Sequence, residues 1–369
     1  MLGLAADVMW GFGLNRLRYG MPVPDDQQLS VLDTLAPPPD ARPEAQAMID
    51  RLGYAPARFT ATVQRDKGNT ADAAIRFPSP KPLGDALSDT VVLDWYAARD
   101  NKGNLVDGPA MLVLDILQGG NVVSGFVARA MARSGVHGFV MHMPHNGRRK
   151  VEGTRYDWAH FLPSLRQAIA DARRARDVIA NVPSVNGKIG IQGTSLGGFI
   201  ASVSAALDGA FDPVVIMLAG GDVYKVLTEG RADAARIRRE LTAIGYDDRQ
   251  LRDELAQSEP LKVAHRLKAA RTWLYSARRD QVVPRAYGRA LARAAGVMPS
   301  HHVMVAGCHY SCALTAPWLM SRMIRTVRSA LDVTTPAPHP LGWAAKAFTV
   351  LRIFERPTPV TVAACPPRE

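Results

Sequence analysis

Apolar and polar positions follow no steady period over residues 1–71 and become periodic beyond them. Ala73-Ala74-Ile75-Arg76-Phe77 and Thr90-Val91-Val92-Leu93-Asp94-Trp95-Tyr96 are short runs rich in β-branched and aromatic residues. With the turn-forming Asp100-Asn101-Lys102-Gly103-Asn104 after them, they predict antiparallel entry strands. Met111 to Leu117 is almost unbroken apolar sequence, as a strand buried on both faces requires. Further strands are predicted at Gly138 to Met143, Lys188 to Gln192, Val214 to Leu218, Thr272 to Ser276 and His302 to Ala306. Helical patterns separate them: Val122 to Ser134, for example, and Leu165, Ile169, Ala172 and Ile179 at helical spacing.

Strands that alternate with helices imply βαβ crossovers and a parallel sheet. The expected architecture is α/β: a mostly parallel eight-stranded sheet with helices on both faces, occupying residues 72–332. The charged helical stretch between Leu218 and Thr272 is longer than an ordinary crossover, which makes 223–268 a candidate lid or helical insertion. Residues 1–71 read as an N-terminal extension and 333–369 as a C-terminal tail.

Composition narrows the class. Hydrophobic residues make up 47% of the 369-residue chain and charged residues 21%, the balance of a globular protein with a large core. The net charge of +11 raises the question of a nucleic-acid partner. The basic residues are interspersed with acidic ones, as in Arg173, Arg174 and Arg176 beside Asp171 and Asp177, and Arg236, Arg238 and Arg239 beside Glu240. Mixed charge of this kind predicts solvated helix faces, and no nucleic-acid partner is expected. The three cysteines, Cys308, Cys312 and Cys365, are too few for a disulfide scaffold and point to a reducing compartment. Cys308-His309-Tyr310-Ser311-Cys312 has no second ligand pair at metal-site spacing, so packing cysteines and no metal are expected.

The apolar start (Leu2, Leu4, Val8, Trp10, Phe12) is interrupted by Asp7 and has no basic leader, unlike a secretory signal. It fits a helix packed on the body better than one lying on lipid, so membrane contact is not favoured. Trp343 to Phe354 in the tail reads as a docking helix. A cytoplasmic protein is the expectation.

The chemistry-bearing feature is Gly193-Thr194-Ser195-Leu196-Gly197. The pentapeptide alone is weak, because a chain this long can contain it by chance. Its setting is what matters: a predicted strand runs into it and a small-residue helix runs out. That places Ser195 on a sharp strand-to-helix turn with its hydroxyl presented at the sheet's carboxyl edge. A serine hydroxyl needs a base, and His309, just past the last strand, is the candidate. An acid must orient the imidazole; Asp280, past the strand at Thr272, is preferred over Asp222, one strand earlier. Backbone donors for a developing oxyanion are expected at Leu196 and in Gln118-Gly119-Gly120-Asn121, with Gly120 the choice there.

Strand, G-x-S-x-G, a late Asp before Val282-Val283-Pro284, and Gly307-Cys308-His309 after the last strand together resemble the α/β-hydrolase superfamily. Leu261 to Pro284 is similar to its esterase and dienelactone-hydrolase-like branch, and the resemblance covers about residues 72–332. One departure is Gln118, where many relatives carry His before the glycines. The resemblance implies a serine hydrolase acting on a small-molecule carboxylic ester or thioester through Ser195, His309 and Asp280, without a cofactor. A peptidase or acyltransferase with the same triad, or a non-catalytic binding protein on the same fold, are the alternatives. His142 and His145 are expected at the surface or behind the site, and Arg148 and Arg149 in a solvated loop.

Overall fold

A computed structural model describes residues 23–66, 70–311 and 316–334. The apolar start, Cys312, Cys365 and the Trp343 to Phe354 segment lie outside the described residues. The fold is one mixed sheet in the order β1-β2-β3-β4-β6-β5-β7-β8-β9-β10. Its strands are β1 (Gln27–Leu32), β2 (Arg58–Arg65), β3 (Ala73–Pro78), β4 (Thr90–Tyr96), β5 (Gly108–Leu114), β6 (His137–Met141), β7 (Val185–Thr194), β8 (Val214–Met217), β9 (Thr272–Ala277) and β10 (His302–Val305). From β1 to β4, and between β4 and β6, neighbours are antiparallel; β6, β5, β7, β8, β9 and β10 are parallel.

The eight expected strands are β3 to β10. Two more, β1 and β2, come from residues assigned to the N-terminal extension and lengthen the antiparallel edge, so the sheet has ten strands rather than eight. Each buries only alternate residues: Leu29 and Val31 in β1, Ala61 and Val63 in β2.

Burial on both faces explains the apolar run of β5, all of whose residues are buried. Ala110, Leu112 and Leu114 face one core with the helices Phe161–Ala180 and Leu196–Asp208. Met111 and Val113 face the other, with Val122–Arg133 and Ala316–Ala330. That alternation is the pleat's two-residue period acting on a sheet covered on both sides. Because β5 pairs with β6 on one side and β7 on the other, the strand order reverses there. A crevice at the carboxyl ends of β5 and β7 follows from that reversal.

The charges on the helix Phe161–Ala180 correct the expectation of a solvated face. Arg173 is 1% exposed, Arg174 5% and Asp177 1%. Arg174 Nε donates to Asp33 Oδ1 at 3.0 Å, Arg173 Nη2 to Asp208 Oδ1 at 3.0 Å, and the Thr34 amide to Asp177 Oδ2 at 2.8 Å. The Asp33 and Thr34 bonds fasten the segment after β1 to this sheet-covering helix, and the Arg173–Asp208 bond ties it to the end of the helix Leu196–Asp208. Arg238 and Arg239, in the helix Asp233–Ala243, are exposed as expected, and Arg236 is half-buried. No described helix is long and apolar enough to cross a membrane.

Candidate active site

Ser195 sits between β7 and the helix Leu196–Asp208 with φ 52° and ψ −117°, a conformation L-residues avoid. Such strain, of order 1–3 kcal/mol, persists only where the surroundings hold it. Here the Ser195 amide donates to Met217 O of β8 at 2.8 Å. The flanking glycines leave room for nothing larger: a Cβ on Gly193 would lie 2.0 Å from Gly197 O, and one on Gly197 would lie 2.4 Å from Leu114 O. The tight turn raises the hydroxyl above the sheet edge.

His309 comes from the turn after β10, where Gly307 has φ +100°. Its Nε2 lies 3.1 Å from Ser195 Oγ, and its Nδ1 lies 2.9 Å from Asp280 Oδ2 and 3.1 Å from Oδ1. Asp280 is held in turn by the amides of Val282 and Val283, which donate to Oδ1 at 3.0 and 2.9 Å. His309 and Asp280 are each 8% exposed. The three residues, from three separate strand ends, thus form one continuous line of contacts. With Nδ1–H donated to the carboxylate, Nε2 is left to accept the serine proton. Asp222 is elsewhere: its carboxylate accepts from the Lys225 amide and caps the helix Val223–Glu229.

Leu196 is the first residue of its helix, so its amide has no intrahelical acceptor and stands at the positive end of the helix dipole. The loop after β5 folds around Asp115, whose carboxylate accepts the amide of Asn121 at 2.7 Å and that of Ser124 at 3.3 Å. Burial pushes the Asp115 carboxyl upward, against the pull of these amides. Asp115, rather than a histidine before the glycines, organises the loop. Gly120 (φ +60°) is exposed, with no atom within 4 Å of a Cβ position. The loop residue that borders a cavity shared with Leu196 is Leu117. Sequence reading missed it because the apolar run was taken to Leu117, whereas the strand stops at Leu114.

A second polar cluster adjoins this loop. His142 Nε2 lies 3.0 Å from Asp94 Oδ2, while its Nδ1 receives the Arg148 amide at 3.1 Å and faces Asn121 Nδ2 at 2.7 Å. Two donors facing Nδ1 assign the proton to Nε2. Arg148 pairs with Asp66 and Asp94. Arg149 is fully buried against Asp171, 2.8 Å away, which corrects the solvated-loop expectation. His142 and His145 are buried rather than at the surface, and His145 stacks on His160 at 4.3 Å.

The candidate lid is helical and touches both sides of the site. Tyr310, next to His309, donates its hydroxyl to Asp233 Oδ2 at 2.6 Å. The Arg231 amide donates to Gln281 O at 2.6 Å, and the Arg236 guanidinium lies over the Trp158 ring at 5.9 Å. Among the described residues no group of three or more His, Cys, Asp or Glu is placed to hold a metal.

No family model matches the chain, and no curated protein sequence matches it. Solved structures do match, at low identity. An acetyl xylan esterase from Paenibacillus sp. R4 aligns with a TM-score of 0.56 and 14% identity over 87% of this chain and 100% of that one. An α/β hydrolase from Penicillium sp. sh18 aligns with a TM-score of 0.52 and 13% identity, over 70% and 98%. The 2,6-dihydroxy-pseudo-oxynicotine hydrolase aligns with a TM-score of 0.50 and 16% identity, over 68% and 67%. The likeness is one of fold, and the fold is the α/β-hydrolase fold.

Proposed function

We propose that this chain, built on the α/β-hydrolase fold, is a serine hydrolase that cleaves a small-molecule carboxylic ester or thioester through an acyl-enzyme on Ser195. The observation that carries this reading is the unbroken line from Ser195 Oγ to His309 Nε2 at 3.1 Å and from His309 Nδ1 to Asp280 Oδ2 at 2.9 Å. As Ser195 Oγ attacks the carbonyl carbon, its proton passes to His309 Nε2, and the imidazolium is stabilised by Asp280. The oxyanion is met by the Leu196 amide and by a second amide from the loop after β5, where Leu117 joins Gly120 as a candidate. Collapse breaks the carbonyl carbon–oxygen (or –sulfur) bond, and His309 returns the proton to the leaving group. Water, deprotonated by the same imidazole, then releases the acid. The helices Val223–Glu229 and Asp233–Ala243 serve as a roof beside His309.

A fluorophosphonate probe tests the reading. It should label wild-type protein at Ser195 and fail to label Ser195→Ala, and an unlabelled wild-type protein that is folded would count against a nucleophilic serine. Comparing a p-nitrophenyl ester with the matching anilide separates an esterase from a peptidase.

A further inference from the structure

The same line of contacts divides the substrate into two sides. His309 Nε2 delivers the proton to the departing alkoxide, so the leaving group must lie on the His309 side of Ser195. The acyl substituent, attached to the same carbonyl carbon, must then lie away from His309. On that side, between the loop after β5 and the start of the elbow helix, is a cavity of about 20 Å³ bordered by Leu117 and Leu196. Ser195 itself does not border it, but Leu196, the next residue, and Ile200 of the same helix do. The other walls come from segments after β5 and β6, which lie on the side of β7 away from β9 and β10, whose ends carry Asp280 and His309.

Its walls are Met143, Tyr156, Phe161 and Ile200 among others, and no charged side chain lines it. Met143, Phe161 and Ile200 are core residues, each 5% exposed or less. Side chains packed to interior density cannot retreat to admit a longer chain without repacking their neighbours. Tyr156 is the least confined: it is half-buried and meets Trp158 edge-on with ring centroids 5.3 Å apart. A space of this size holds one to two water-sized groups, that is, a methyl or an ethyl. Its lining is mostly apolar, with Asn146 and Ser164 its polar members, so it favours such a group over water.

We propose that this cavity is the acyl pocket and that it restricts the enzyme to esters of very short carboxylic acids, acetyl and propionyl, whatever the alcohol. The proposal rests on Ser195 being the nucleophile. It assigns selectivity to the acyl side alone, because the leaving group departs toward His309 and the roof, outside this cavity.

The test is kcat/KM of the full chain on p-nitrophenyl acetate, propionate, butyrate, hexanoate and octanoate, each divided by that ester's rate with hydroxide. Acetate and propionate should lead, with a loss of about tenfold or more for each methylene that the pocket cannot take. Tyr156→Ala should move the optimum to longer acids, and Ala168→Leu, which fills the cavity, should lower acetate turnover without lowering fluorophosphonate labelling to the same degree. A profile that is flat or rises toward octanoate, in protein whose Ser195 is labelled, overturns the pocket and leaves the nucleophile standing. If no ester turns over and Ser195 is not labelled, the nucleophile reading fails and the pocket falls with it.

Discussion

The carboxyl edge of the sheet and the antiparallel edge opposite it are both organised by buried carboxylates, yet the carboxylates do different work. At the carboxyl edge, Asp280 faces His309, whose other nitrogen faces Ser195, so the charge is directed toward a group that can react. At the antiparallel edge, Asp33 is taken up by Arg174 and the Ala57 amide, and Asp177 by Thr34 and Arg176, all of them groups that only donate or bind charge. A buried charge that ends in a closed pair fastens structure, and one that ends in an open proton acceptor can do chemistry. Changes at the two edges should therefore separate activity from stability.

The largest effect is expected from Ser195→Ala: a loss of about 10⁴-fold or more in kcat, with little change in Tm, read from ester hydrolysis and calorimetry. Asp280→Asn should follow, with kcat down about 10³- to 10⁴-fold because the imidazole loses its orienting acceptor. Substantial ester turnover in either variant would remove the distinction between the edges. Arg174→Ala should do the reverse. It leaves Asp33 buried without its cation, which costs about 3–5 kcal/mol in urea unfolding, while kcat per folded molecule stays near wild type. A loss of kcat in fully folded Arg174→Ala would show that the antiparallel edge also sets the site's geometry.

Between these lies His142→Ala. Removing the ring takes away the partner of Asp94 Oδ2, leaving only Arg148 on the other oxygen, and frees the side chain of Asn121, whose own amide is fixed by Asp115. The unpaired buried groups should cost about 1–3 kcal/mol of stability. Because Asn121 belongs to the loop proposed to carry the second oxyanion donor, kcat should also fall, by about tenfold, with KM less affected. An unchanged kcat would confine His142 to a structural role.

The two edges also differ in how far the sequence reveals them. Strands β5, β6, β8 and β9 announce themselves because both faces are buried, so β5 reads as a continuous apolar run. Ser195, Asp280 and His309 could be named because each follows a recognisable strand. β1 and β2 present only two buried apolar positions each, too short an alternation to stand out in a polar stretch. Arg173 and Arg174 look like solvent-facing helix residues because the acid that pairs with Arg174 lies 141 residues away in sequence. No local pattern encodes a partner at that distance. Leu117 was hidden for a related reason: the apolar run continues past the end of the strand because its last residue borders a cavity rather than the sheet core.

The smallest expected effect is a pH dependence at the seam between the N-terminal segment and the elbow helix. Asp40 accepts from the Arg42 amide at 2.9 Å, from Arg266 Nη1 at 2.7 Å, and pairs with His265 Nε2 at 2.8 Å. Arg266 in turn donates to Ala206 O and Leu207 O in the last turn of the helix Leu196–Asp208. The Arg42 amide, then Arg266, then His265 hold the Asp40 carboxyl well below its usual value of 3.8. A carboxyl whose pKa is depressed on folding binds its proton more tightly in the unfolded chain. Its contribution to stability is therefore complete above the usual value and is lost as pH falls through 3.8 toward the depressed native one. In Asp40→Asn that contribution is absent at every pH. Tm of the wild type should exceed that of Asp40→Asn at neutral pH, and the gap should narrow as the medium is acidified below 3.8. A gap that stays constant into that range would mean that Asp40 acts there through its hydrogen-bond geometry, which asparagine also disturbs, and not through its charge.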